Sequence, residues 1–219
     1  MAELDRDRFL ALSYVRSSVR PALEALWRLD AALGAVLTSG REPLISQIKL
    51  AWWRDALEAL DTGSTPFEPA LQAVAAHLLP RRISGSELAP MPEGWTLLLT
   101  PDPMSADELS TYGARRGAVL FKASAKLLAG EEHSQLAAAG EAWALIDLAR
   151  HSGSEADAQA ALEAARARLS PHRWPRRLRP LGMLAVLAAR DAEPARPRWE
   201  EQGAPGRMLR MLSHRFTGR

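Results

Sequence analysis

The chain has no cysteine. Disulfides, thiolate zinc sites and cysteine nucleophiles are therefore excluded, and the absence fits a reducing cytoplasm. It also has no long apolar run. The longest, "LGMLAVLAA", is about half the ~20 residues needed to span a bilayer. The N-terminal "MAELDRDRF" mixes acids and bases before any apolar run, unlike a signal peptide. Charge of one sign is lacking as well: 28 lysines and arginines meet 26 acids, for a net charge of +2. Any cationic surface must then be local, and many arginines do gather in the last quarter of the sequence. No segment alternates with β-branched residues, so no strand is expected. There is no P-loop, zinc-ligand spacing or serine-hydrolase elbow, and no internal repeat or low-complexity tract.

What is present reads as helix. Alanine, leucine, arginine and glutamate dominate, and all are strong helix formers. At 219 residues, with nearly half of them hydrophobic, one domain with a substantial core is expected over 1–219. Helices are predicted from Asp5 to Arg16, Pro21 to Leu37, Pro43 to Leu60 and Glu68 to Leu79. A proline-interrupted stretch follows, with room for one short helix. "SADE" at Ser105 to Glu108 has capping-box spacing and opens a long helix to about Leu128, stopped by Gly130. Further helices span Ser134 to His151, Glu155 to Leu169, Leu181 to Arg190 and Gly206 to Arg215.

The third helix, "PLISQIKLAWWRDALEAL", carries adjacent tryptophans. On a helical wheel Ile45, Ile48, Trp52, Ala56 and Ala59 form one stripe, and Leu50, Trp53, Leu57 and Leu60 form the next. Together they make an arc wider than a surface helix needs, which predicts a largely buried helix with neighbours on both flanks. Lys49 falls inside that arc. It either snorkels to water or faces an anion in an interior pocket.

The residues "EALWRL", "REPLISQIKLAWWRDAL", "STYGARRGAVLFKASAKLLAG" and "GEAWALIDLARHSGSE" resemble, in order, segments of the squalene/phytoene synthase family. The WWRDAL block is the most specific, and the likeness is clearest over residues 1–155. The resemblance implies an all-α, single-domain isoprenoid-synthase-like bundle around a central cavity. Family enzymes join two prenyl diphosphates head to head. They use two D-x-x-x-D motifs on facing helices, whose carboxylates hold Mg²⁺ against the diphosphate.

This sequence departs from the pattern where that chemistry resides. The first motif should fall at Gly34 to Thr38, where no acid stands; Asp30 lies one turn earlier. The second should fall at 151 and 155, which are His151 and Glu155. Asp147 replaces the usual asparagine, and Ala144 the family glutamine. Lys49 stands where arginine is common. The resemblance nominates Asp30, Lys49, Trp52, Trp53, Tyr112 and Phe121 as cavity residues, with Lys49 expected to pair with Asp30. Asp147, His151 and Glu155 would align on a continuous helix as metal ligands. Alternatively, "SGS" ends the helix and His151 is a terminal cation favoured by the dipole.

Other features have plainer readings. Glu3 and Asp7 read as solvated. Tyr112 either lines a cavity or is a core tyrosine with its hydroxyl at the rim. Gly117 and Ala118 suit a close helix crossing. The basic C-terminal region, 171–219, is either solvated charge or a contact with an anionic membrane; no nucleic-acid motif is present. Three functions follow. One is a non-catalytic family member that holds an isoprenoid or other lipid, or serves a protein partner, as in the family branch linked to complex I assembly. No cofactor is expected for it. The second is a prenyltransferase with an atypical Mg²⁺ site. The third is a basic helical adaptor sharing only the fold. The expected location is cytoplasmic, with peripheral membrane contact.

Overall fold

A computed structural model describes residues 3–39, 42–100, 103–129, 135–193 and 199–219. Among these the chain is helical and forms no strand. The helices are α1 (Arg6–Ser13), α2 (Arg20–Ser39), α3 (Pro43–Leu60), α4 (Pro69–His77), α5 (Gly85–Leu88) and α6 (Pro90–Thr96). Then come α7 (Ala106–Tyr112), α8 (Val119–Ala129), α9 (Leu136–His151), α10 (Glu155–Arg168), α11 (Arg179–Asp191) and α12 (Pro205–Thr217). A π-helical turn, Gly113–Ala118, fuses α7 and α8 into one rod.

The starts follow local chemistry. Asp5 accepts from the Arg8 amide and caps α1. Ser105 and Glu108 complete the capping box of α7. Prolines occupy the first turns of α3, α4 and α12, where a missing N–H does no harm. Ser154 caps α10. Gly130 and Ser134, expected to end one helix and begin another, lie outside the described residues, as do two residues of the break at 38–43.

The centre of the bundle is α9, packed against α8, α10, α11 and the π turn. It crosses the π turn with backbones nearly touching. A Cβ on Gly117 would stand 2.1 Å from the Gly140 carbonyl oxygen, and one on Gly140 2.2 Å from that of Gly117. Only glycine at both positions permits that approach. The fully buried Trp27 of α2 ties to α8 by donating its Nε1–H to Ser124 Oγ at 3.1 Å. Asp7, read from sequence as solvated, is buried instead. It accepts from Arg207 of α12 at 2.8 Å, and Arg207 also binds Asp191 of α11 at 2.7 Å. This ion-pair chain locks the first helix onto the last two.

The predicted central position of the third helix is corrected. Leu50, Trp53, Ala56, Leu57 and Leu60 are buried against α2, α4 and α6. Leu44, Ile45, Ile48 and Trp52 face outward, Trp52 being 45% exposed. One apolar stripe meets neighbours along its length and the other only at Ala56, because α3 lies at the edge of the bundle. The adjacent tryptophans divide accordingly. Trp53 enters the core and Trp52 covers it edge-on, with ring centroids 5.5 Å apart.

Candidate functional site

Five elements converge on Asp30: α1 brings Arg8, α2 brings Asp30 itself, α6 brings Trp95, the π turn brings Arg116 and α9 brings Asp147. Asp30 and Arg116 are both almost wholly excluded from solvent. Arg116 donates from Nε to Asp30 Oδ1 at 2.9 Å and from Nη2 to Oδ2 at 3.0 Å. Arg8 Nη2 also donates to Oδ2, at 3.0 Å, and Trp95 Nε1 to Oδ1, at 3.3 Å. A carboxylate has about four acceptor sites, so each of Asp30's is taken.

The third nitrogen of Arg116, Nη1, bridges Asp147 Oδ2 at 2.7 Å and contacts the Tyr112 hydroxyl. The other Asp147 oxygen lies 3.3 Å from His151 Nδ1. Aromatic rings enclose the cations. Arg116 lies 4.0 Å from the Trp95 ring centroid and 4.9 Å from that of Trp143, and Arg8 lies 4.8 Å from Trp143. Such stacking favours a desolvated guanidinium.

The charges set the protonation states. Burial pushes the Asp30 carboxyl up, but Arg116 and Arg8 outweigh it and hold the group below its ordinary value. For Asp147 burial is likewise overcome, by Arg116 and then His151, and the carboxyl is strongly depressed. Burial raises the Tyr112 phenol, which stays neutral. The hydrogen bond to Asp147 raises His151. Asp30 and Asp147 are thus held as carboxylates beside a neutral phenol, and against the effect of burial their charge in turn raises the Arg116 guanidinium well above its ordinary value.

This cluster floors a cavity of about 520 Å³. Its walls include Ala31, Leu37, Leu97, Leu98, Met104 and Leu148. A cavity with an apolar wall and a few convergent polar groups is the usual form of a small-molecule site.

Of the residues singled out from sequence, Asp30, Tyr112, Asp147 and His151 line this cavity, and so does Glu3, which stays exposed as expected. Phe121 does not: it is buried behind it, 5.8 Å from the Trp143 ring. Trp52 and Trp53 lie off the cavity on α3. Lys49 is exposed on the same helix, so the expected pair with Asp30 does not form; Arg8 and Arg116 take its place. Since one stripe of α3 faces water, Lys49 pays no burial cost and needs no interior partner. Glu155 is exposed at the start of α10 and off the cavity. The helix ends at His151, so Asp147, His151 and Glu155 do not share one continuous face.

The sequence reading missed Arg8, Trp95, Arg116 and Trp143. One signal was available: Arg116 stands four residues after Tyr112 and four before Leu120, on what proves the buried face.

Gly34 and Thr38, where the resemblance puts the first acidic motif, do line the cavity. A Cβ at Gly34 would stand 3.0 Å from Trp95 Cη2 and 3.2 Å from Cζ2. The Trp95 indole fills the room a side chain at 34 would need. The donor set therefore does not fit the family's magnesium cluster: Asp30 is saturated by Arg116, Arg8 and Trp95, Asp147 is shared between Arg116 and His151, and Gly34 and Thr38 supply no carboxylate. The other acids of the lining, Glu3, Asp5 and Asp157, form no D-x-x-x-D pair; Asp5 binds Arg8, and Asp157 accepts from the Met104 amide. Among the described residues, no group of three or more acids and histidines is placed to hold a metal.

A family model described as squalene/phytoene synthase matches residues 1–170. No curated protein and no solved structure matches the chain.

Proposed function

The chain belongs to the squalene/phytoene synthase family, and we propose that it is a non-catalytic member whose cavity holds an isoprenoid or similar lipid. The observation that carries this reading is the saturation of Asp30 by Arg116, Arg8 and Trp95. In the family scheme, carboxylates facing the cavity bind magnesium and the metal binds diphosphate. Here the equivalent floor is neutralised within the protein. Guanidinium groups occupy the acid's lone pairs, and an indole occupies the space at Gly34. The arrangement keeps a cavity open without metal. Its apolar walls suit a prenyl chain, and its floor offers the Arg116–Asp147–His151 edge to a small polar head.

Titration with farnesol and geranylgeraniol, followed by tryptophan fluorescence in the wild type and in Trp95→Phe, tests the reading. Saturable quenching is expected, unchanged by EDTA and weakened by Leu98→Arg in the wall. Absence of binding to both alcohols, or tight binding of farnesyl diphosphate only when Mg²⁺ is added, would overturn it.

A further inference from the structure

A second cleft, of about 390 Å³, shares no lining residue with the first. It lies between the end of α1 and the loop after it, the end of α8, the start of α11 and the end of α12. Arg16, Arg176, Arg177, Arg179 and Arg215 line it, and no aspartate or glutamate does. The whole chain carries a net charge of only +2. Five unopposed cations in one cleft therefore leave the rest of the chain net acidic. Like charges gathered this way repel, and the local packing offsets that only through carbonyls at the end of α12 and the Tyr14 ring, with no carboxylate in the lining.

The polar atoms make the point more sharply. Arg179 is 7% exposed. Its Nη1 donates to the carbonyls of Arg215 and Phe216, at 2.9 and 2.8 Å, and so holds the last turn of α12 in place. Its Nε is buried without a hydrogen-bond partner, and so is the Nε of Arg215. Burial, then the charges of Arg176, Arg215 and Arg173, push the Arg179 guanidinium below its ordinary value. Buried donors are normally paired. Guanidinium groups gathered in an acid-free cleft, with donor capacity left over, suit an anion with several acceptor oxygens. Val15, Val19, Leu128 and Phe216 form the apolar part of the lining, and Phe216 is 75% exposed.

We infer that this arginine cleft binds a phosphate group. The exposed Phe216 ring at its side favours phosphate carried on an apolar body, the headgroup of an anionic lipid. Phenylalanine beside arginine matches the boundary between headgroups and acyl chains. The proposal does not depend on what the first cavity holds.

The test uses the full chain and the double variant Arg176→Glu, Arg177→Glu. Both residues are exposed and neither has an ion-pair partner among the described residues, so the variant should fold, as circular dichroism would verify. One arm measures co-sedimentation with vesicles of phosphatidylcholine alone and of phosphatidylcholine with phosphatidylglycerol. The other follows Tm with inorganic phosphate against chloride at equal ionic strength. Wild-type binding only to the anionic vesicles, weakened roughly tenfold or more in the variant, supports the lipid source; each arginine near an anionic surface is worth about a fivefold factor. A rise in wild-type Tm with phosphate that the variant lacks supports the site with free phosphate as its source. The inference is overturned if neither arm separates wild type from variant, or if the protein retains only a polynucleotide.

Discussion

Arg116 and Asp30 meet side-on in the floor of the cavity, with Nε and Nη2 at 2.9 and 3.0 Å from the two carboxylate oxygens and both side chains out of water. A bidentate pair of this kind is geometrically specific. Desolvating it is expensive, so its presence weighs more as evidence of an organised site than as a source of stability.

The pair should behave as a unit. Asp30→Asn removes the carboxylate that Arg8 and Arg116 share, leaving Arg116 with Asp147 and Arg8 with Asp5, and should cost about 3 kcal/mol, the low end for breaking a buried ion pair. Arg116→Met should cost a similar amount, because buried Asp30 keeps only Arg8 and Trp95 and loses its bidentate partner. The double variant should lose clearly less than the sum, which urea denaturation in a double-mutant cycle would reveal. Additive losses would mean that the two charges do not depend on each other.

The adjacent tryptophans should differ. Trp53 is 7% exposed and packs inward, so Trp53→Ala should cost roughly 3–5 kcal/mol. Trp52→Ala, at the outer face, should cost about 1 kcal/mol or less, near the range of surface substitutions. Chemical denaturation of both variants checks the edge position of α3; equal losses would put both rings in the core.

Carboxylates cannot simply be restored at the first motif. An aspartate at Gly34 meets the Trp95 indole, whose nearest carbon would be 3.0 Å from the new Cβ. Gly34→Asp should therefore destabilise by about 1–3 kcal/mol through overpacking. Gly34→Asp with Thr38→Asp should create no Mg²⁺-dependent turnover. In a Trp95→Ala background the crowding is relieved, so the two aspartates should lower Tm less there than they do in the wild-type background.

Acid should weaken the C-terminal packing through His214. The ring is 1% exposed, beside Trp174 and over Gly182, and burial pushes it down to about 4 from 6.5. Between those values the unfolded chain binds the proton more readily than the folded one. Stability should thus be lost as pH falls from 6.5 toward 4, by at most about 3 kcal/mol from this group. His214→Gln should flatten that part of the pH–stability curve. An unchanged slope would show that His214 titrates freely in the fold.

Much of the fold was legible because its punctuation is local. The capping box at Ser105, the first-turn prolines and the "SGS" break all mark helix ends by side-chain chemistry acting within a few residues. Which side of a helix meets a neighbour is not local. The wheel of α3 shows two apolar stripes, and only the placement of α2, α4 and α6 decides that the Trp53 stripe is buried. The Lys49 reading failed for that reason. Asp30 drew notice as the acid nearest an empty motif. Its partner Arg116 did not, because "GARRGA" reads as a small-residue packing segment. That one of its two arginines turns inward follows from the π turn and from the glycine-to-glycine crossing with α9. Trp95 was hidden in a proline-rich stretch whose path depends on the whole bundle.

The central claim is that Arg116, Arg8 and Trp95 have taken over the place of a metal-bound diphosphate. Its most direct measurement is turnover. Purified protein incubated with farnesyl or geranylgeranyl diphosphate and Mg²⁺, with products extracted and resolved by gas chromatography and mass spectrometry, should yield no squalene, phytoene or cyclopropyl intermediate above a heat-denatured control. Steady, Mg²⁺-dependent formation of any of these would contradict the account.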